Sequence, residues 1–330
     1  MELNEFHRYL LDNHPMHAAW GDVVSSEIQK AVMAATDRKH LKGFLKVPVE
    51  PRVKDIKSAI GKVARKGYEN PVIQMTDLVG TRFVVLLSSD IDIVCSALES
   101  ISEFSSVVSK DYLSDIETNP KIFDYQSKHY EVRPKEEFTV NNITITTEAC
   151  CEVQIRTLLQ HAYAELVHDN IYKPVGVVPK AAERHIARSM ALMETTDDLF
   201  CSTMELLYET NKGRNEFLFS LVELYKACIG EEHVHLDDAT NFHILDEYKN
   251  FINEETFNKV EELIKKKKFL PSRIRNRSSE NSLFGQPSVL FLYHLVSTLD
   301  SDQITKLWPL PGYLKDLNLV FSDLGVNTSL

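Results

Sequence analysis

Apolar residues recur at helical intervals through the first fifty positions. Leu10, Leu11, Ala18, Ala19, Val23, Val24, Ile28, Val32 and Met33 predict one opening helical segment. Pro48 and Pro51 punctuate the chain after it. A second helix is predicted over 52–66, with Val53, Ile56, Ile60 and Val63 as its buried stripe and Gly67 just past its end. The period then shortens. Strands are predicted at 78–87, 124–132, 138–147 and 149–155, the third broken by the turn-like pair Asn141-Asn142. A helix capped by Asp90 fits between the first two. From Thr157 onward the pattern is helical almost to the end, with no internal repeat and no low-complexity segment. The expected class is α+β, a mixed β-sheet flanked by helices that ends near Lys173 and is followed by an all-α remainder.

Composition adds bounds to this picture. The 330 residues are 43% hydrophobic and 26% charged, which is globular and long enough for roughly two domains. No apolar run approaches the roughly 18–20 residues of a membrane span, and the polar start MELNEFHRYLLDNH lacks a secretory pattern. Five scattered cysteines, at 95, 150, 151, 201 and 228, form no metal spacing and fit a reducing compartment, so a cytoplasmic location is expected. The adjacent Cys150-Cys151 read as small core residues. The net charge of −11 argues against a general nucleic-acid coat. Yet Arg38 to Lys66 carries ten Lys/Arg against only Glu50 and Asp55, and Lys265 to Arg277 carries seven cations and no acid. Such concentration in an acidic chain points to anions met there, or to solvated helix faces.

Four segments carry polar residues at spacings that matter. Lys54, Ser58 and Lys62 stand at i, i+4 and i+8, so on a helix they share one face, with Arg65 beside them and Arg52 at its start. A row of cations with a hydroxyl suits a polyphosphate. Asp77-Leu78-Val79-Gly80-Thr81-Arg82 opens an apolar strand with an acid, which is costly to bury unless it is paired or metal-bound. Strict alternation separates Asp77 from Arg82, so a shared site needs a widening cleft or a bend, which Gly80 could supply. In Asp124-Tyr125-Gln126-Ser127-Lys128-His129, a strand would align Tyr125, Ser127 and His129 on one face, fit to stack a base and hold a phosphate. In Cys151-Glu152-Val153-Gln154-Ile155-Arg156-Thr157, the apolar residues face one way and Glu152, Gln154 and Arg156 the other. Asp77 and Glu152 on neighbouring strands would make an oxygen pair for Mg²⁺.

Taken in order, the four segments closely resemble the RelA/SpoT-type synthetase domain, a member of the nucleotidyltransferase superfamily that makes (p)ppGpp. The basic helix Arg52-x-Lys54-x-x-x-Ser58-x-x-x-Lys62, the Asp77–Arg82 strand, the Tyr125-x-Ser127-x-His129 loop and the Glu152–Thr157 strand each match a family motif. The following helix, His161 to His168 with Tyr172-Lys173, extends the likeness. One position departs: Asp124 stands where the family has a glycine before the tyrosine. The resemblance covers a synthetase core over 51–175 and, more loosely, a core-associated helix over 176–212; the helical segment over 1–50 and the helical domain over 213–330 rest on periodicity alone.

The resemblance implies transfer of pyrophosphate from ATP to the 3′-hydroxyl of GDP or GTP. Arg52 and Arg82 would then flank the adenine, and Lys54, Ser58 and Lys62 would take the ATP phosphates. Asp77 would hold Mg²⁺, and Glu152 would complete the metal site or take the attacking hydroxyl's proton. Tyr125 would stack on the acceptor base, His129 and Arg156 would contact its phosphates, and Gln154 would steady the site. The His-Asp metal ligands of a hydrolase domain are expected to be missing, since the one pair, His168-Asp169, has no upstream partners. His233-x-His235 with Asp237-Asp238 reads as a hydrated acidic loop. Two other readings stay open: a toxin that pyrophosphorylates the 3′ end of tRNA, using the basic run Lys265–Arg277, and an inactive nucleotide-binding regulator. A second copy of the chain or a regulatory protein is the partner expected besides substrate.

Overall fold

Alternation along two segments, Val79–Val85 and Cys151–Thr157, sets the central layer of the fold. The computed structural model describes residues 1–36, 43–168 and 177–327, in two compact units, Met1–Met204 and Glu205–Leu330. The first unit opens with α1 (Leu3–Ala35), β1 (Arg52–Val53), α2 (Ile56–Lys66), α3 (Pro71–Gln74), β2 (Val79–Val85) and α4 (Ser89–Glu99). It continues with β3 (Phe104–Lys110), α5 (Tyr112–Thr118), β4 (Lys128–Pro134), β5 (Phe138–Val140), β6 (Ile143–Ile145), β7 (Cys151–Thr157) and α6 (Leu158–Val167). The unit boundary falls within α7 (Lys180–Cys228).

Among the described residues, five strands form one mixed sheet in the order β1-β2-β7-β4-β3. The β2–β7 pair is parallel and the rest are antiparallel. One face of the sheet is apolar: Val79, Phe83, Val85, Val153, Ile155, Tyr130 and Val132 pack against Trp20, Val24 and Ile28 of α1 and Ile91, Val94 and Leu98 of α4. Each such buried side chain contributes about 1.5–3 kcal/mol. Trp20 anchors this layer, donating its indole N–H to the Val132 carbonyl at 3.2 Å and meeting Phe104 edge-on at 5.3 Å. α1 approaches so closely that a Cβ at Gly21 would stand 2.8 Å from side-chain carbons of both Pro51 and Val79.

Local physics explains where these elements differ from the sequence expectation. The basic helix begins at Ile56, not at 52, because the Asp55 side chain accepts from the Ser58 N–H and caps it there. Arg52 and Val53 pair instead with Gly80 and Val79 as an edge strand, and Lys54 extends that pairing by donating its N–H to the Leu78 carbonyl. The helix ends as expected, at left-handed Gly67. Asp90 lies in the first turn of α4, after Ser88 at the cap, where its charge suits the positive helix end. The strand expected over 124–132 starts only at Lys128, and 149–155 shifts to 151–157. The break at Asn141-Asn142 is a hairpin turn with both residues left-handed, φ 49° and 63°, a conformation Asn tolerates. β3 and α5 were not anticipated. β3 is an edge strand whose Phe-Ser-Ser-Val-Val-Ser-Lys run leaves Val107 and Val108 exposed, so it carries no buried alternation to read. Arg38, Asp169, Tyr172 and Lys173 lie outside the described residues.

The second unit holds the last part of α7 with α8 (Asp238–Glu247), α9 (Glu254–Lys266), α10 (Leu270–Ser278), α11 (Ser288–Thr298), α12 (Ser301–Leu307) and α13 (Leu314–Leu324). α11 is its axis, with every residue from Ser288 to Val296 buried and Phe291 edge-on to Phe217 at 5.1 Å. The basic run there largely serves the fold. Arg273 and Arg277 both bind the buried Asp323, Arg275 donates to the Ile229 carbonyl, and Lys265 pairs with Glu261. His233 meets Ser278 at 3.0 Å, His235 packs at Gly285, and Asp237 caps α8 through Thr240. No helix among the described residues is long and apolar enough to cross a membrane.

Candidate active site

The sheet face opposite the core carries the polar chemistry. Cross-strand partners share a face, so the pairs Arg52↔Gly80, Gly80↔Glu152, Arg82↔Gln154 and His129↔Gln154 gather Arg52, Arg82, Glu152, Gln154 and His129 on one surface. Arg156, two residues beyond Gln154, continues it. Gly80 lets β7 approach closely here, since a Cβ at this position would stand only 3.3 Å from the Glu152 carbonyl oxygen.

Asp77 reaches the site without a bend at Gly80. It sits in the turn before β2, and two lysines converge on its Oδ2: Lys54 Nζ at 2.7 Å and Lys62 Nζ at 2.9 Å. The expected row along one helix is therefore assembled from two elements, Lys54 before α2 and Lys62 within it. Ser58 and Arg65 are exposed on α2. Burial pushes the Asp77 carboxyl up, but the two ammoniums more than offset it, and the group lies below the usual carboxylate range. Its other oxygen, Oδ1, is buried with no hydrogen-bond partner.

Glu152 follows the same pattern. Burial raises it, while His129 at 3.4 Å from Oε1 and the Gln154 amide donating to Oε2 at 2.7 Å bring it below its ordinary value. The charge of Asp77 acts on it in the raising direction, so the two carboxylates feel each other. From Glu152 a chain of contacts runs outward. Arg156 donates to Gln154 Oε1 at 3.1 Å and to the Tyr125 hydroxyl at 3.4 Å, and that hydroxyl meets His129 Nε2 at 3.1 Å. Tyr125 and His129 are thus neighbours although Tyr125 precedes the strand, while Ser127 is fully buried with its hydroxyl on the Ile155 carbonyl.

Two participants are not legible in the sequence. Lys110, at the end of the unforeseen β3, places its ammonium 4.7 Å from the Tyr125 ring centroid. A cavity of about 160 Å³ beside that ring is lined by Lys110, Tyr112, Asp124, Tyr125 and Gln126 among others. Glu165 of α6 binds Arg82 at 3.2 Å. Glu165 lies in the helix that extends the family likeness, but nothing in the sequence pairs it with Arg82.

Residues 51–176 match the family described as a region found in RelA / SpoT proteins. This segment is a RelA/SpoT-type domain. Of two curated relatives, GTP pyrophosphokinase YwaC of Bacillus subtilis is 29% identical over 151 residues, covering 44% of this chain and 68% of the relative. GTP pyrophosphokinase YjbM of the same organism is 27% identical over 151 residues, covering 46% and 68%. The crystal structure of small alarmone synthetase 1 from Bacillus subtilis superposes with a TM-score of 0.50 at 21% identity, over 62% of this chain and 99% of that one. The RelA/SpoT-type domain therefore has that mixed-sheet fold, and the polar sheet face belongs to it.

The donor set fits a divalent cation. Asp77 Oδ1 is a buried carboxylate oxygen without a partner, and Glu152 stands close enough to sense its charge. Hard oxygen donors of this kind, one or two with substrate phosphates completing the shell, suit Mg²⁺. Among the described residues, no group of three or more His, Cys, Asp and Glu gathers into a self-sufficient metal site.

Proposed function

We propose that the RelA/SpoT-type domain is a GTP pyrophosphokinase-like synthetase that moves the pyrophosphoryl group of ATP to the 3′-hydroxyl of GDP or GTP. The reading is carried by one observation: Asp77, clamped by two lysines with one oxygen unpartnered, acts electrostatically on Glu152, whose neighbour His129 contacts Tyr125. The names of the two relatives, both GTP pyrophosphokinases, support it.

In this proposal Arg52 and Arg82 offer planar guanidiniums to the adenine, with Glu165 orienting Arg82. Lys54, Lys62 and Ser58 receive the triphosphate, and the ammoniums exchange Asp77 for phosphate oxygens as ATP arrives. Asp77 and, where the shell needs it, Glu152 would hold Mg²⁺, which would supply charge neutralisation at those phosphates. Tyr125 stacks on the acceptor base, and His129 and Arg156 meet its phosphates. Both Glu152 oxygens are already engaged by His129 and Gln154, whereas Asp77 Oδ1 is free, which favours Asp77 as the direct metal ligand. The 3′-oxygen bonds to Pβ, the Pα–O–Pβ bridge breaks, AMP leaves with the bridging oxygen, and the hydroxyl proton passes to Glu152.

The test is direct. The protein is incubated with Mg²⁺ and ATP labelled in its terminal phosphate, together with GDP, GTP or bulk tRNA. Label on the guanine nucleotide is expected. Label on tRNA, or none at all, overturns the proposal.

A further inference from the structure

Tyr125 and His129 bracket Gln126, which is almost wholly buried, and this residue ties the loop to a helix outside the sheet. The Gln126 amide donates to Glu194 Oε2 of α7 at 2.6 Å, and its carbonyl oxygen accepts from Gln160 Nε2 at 3.4 Å. Gln160 belongs to the first turn of α6. Its side-chain oxygen accepts from the Thr157 N–H at 3.0 Å, while its own N–H donates to Thr157 Oγ1 at 3.1 Å, a reciprocal cap. The Thr157 hydroxyl in turn donates to Asp197 Oδ2 at 2.7 Å, and Asp197 is 4% exposed. Glu194 and Asp197 lie one turn apart on α7, on the side where Met190 packs against Tyr163 and Val167, with Ile186, Met193 and Tyr125 around them.

We propose that Glu194 and Asp197 are positioning residues for the acceptor loop: α7 grips Gln126 directly and, through Thr157 and Gln160, a second time. Neither acid touches the polar sheet face. They act through residues that do, because Gln126 sits between the tyrosine and the imidazole of the site, and Thr157 closes the strand that carries Glu152, Gln154 and Arg156. Two carboxylates on one buried helix face would be an unfavourable arrangement without such donors. A hydrogen bond to a charged acceptor is also stronger than a neutral one. The inference rests on the acceptor role of Tyr125 and His129 proposed above.

The experiment compares Glu194→Ala and Asp197→Ala with their conservative counterparts Glu194→Gln and Asp197→Asn, which keep an oxygen able to accept the same hydrogen bond. In transfer assays with ATP and GDP, the alanine variants should raise the GDP KM about tenfold, the equivalent of one charge-assisted hydrogen bond. The ATP KM should be unchanged, and the conservative variants should recover most of the loss. Equal weakening for both substrates, or a fall in kcat alone, overturns the proposal. Hydrogen exchange of the full-length protein without nucleotide supplies a readout that does not depend on the acceptor. Amides at 125–128 should exchange faster in Glu194→Ala while those of β2 and α4 do not, and unchanged exchange at 125–128 also overturns it. If wild-type protein transfers nothing to GDP while Glu194→Ala loosens 125–128, the functional reading fails and the positioning role stands.

Discussion

Asp77 carries two burdens that one substitution separates. Its charge holds Lys54 and Lys62 together, and its free Oδ1 is the oxygen suited to a cation. Asp77→Asn should keep the fold by circular dichroism yet lower transfer on the order of 100-fold or more, because an amide cannot supply the anionic ligand. Near-wild-type turnover would remove Asp77 from the site. Tyr125 separates in the same way. On the proposed acceptor role, Tyr125→Ala should lose stacking worth about 1–3 kcal/mol and raise the acceptor KM accordingly. Tyr125→Phe keeps the ring and drops only the contacts to His129 and Arg156, so its acceptor KM should fall between the two. His17 is legible only in three dimensions. It is 2% exposed on α1, both ring nitrogens lack partners, and burial pushes its pKa down to about 4. A histidine that titrates near 6.5 unfolded and near 4 folded contributes no penalty above 6.5. It costs stability as pH falls from there towards 4, up to about 3 kcal/mol. Urea denaturation at pH 7.5 and pH 5 should show this loss in wild type, and His17→Leu should have a smaller difference between the two pH values.

Among the elements, α1 and α2 show how a short local signal sets a boundary that periodicity cannot. Of the apolar stripe expected for the basic helix, Ile56, Ile60 and Val63 pack with Phe6, Leu10 and Leu78, while Val53 lies on β1 and packs with the sheet core. The stripe did not tell where the helix starts; the Asp55 cap did. That one carboxylate puts Lys54 on an extended segment, from which it reaches Asp77 from a direction different from Lys62. Close approach of α1 to the sheet depends on Gly21. Gly21→Ala forces a carbon into 2.8 Å contact with Pro51 and Val79, side chains of the packed interior. It should destabilise the N-terminal unit by about 1–3 kcal/mol in denaturant melts. A change below about 0.5 kcal/mol would mean the helix backs away at little cost.

On the scale of the whole molecule, the cores of the two units are separate. The N-terminal clusters surround the sheet, and the C-terminal cluster surrounds α11. Calorimetry should resolve two unfolding transitions. Phe291→Ala, which empties a fully buried site beside Phe217, should lower only one of them, by the equivalent of about 3–5 kcal/mol. Gly21→Ala should lower only the other. A single transition moved by both substitutions would show that the units unfold together.

Much of this was determined by sequence alone. Alternation along 151–157 put Cys151, Val153 and Ile155 on one face and Glu152, Gln154 and Arg156 on the other, because a strand leaves a side chain only two choices. The order of four polar motifs identified the family and nearly all the side chains on the polar face. The helical remainder was legible as helix, while the use of its basic run was not. The seven cations from 265 to 277 read equally as an anion site or a solvated helix face, and neither reading brings in Asp323, some fifty residues on, which lies beside two of them. Likewise no local spacing joins Gln126 to Glu194, Thr157 to Asp197, or Lys110 to Tyr125. Periodicity reports how each residue relates to its own element's axis. Which elements then meet is decided by how buried faces pack, and that is where these partners are chosen.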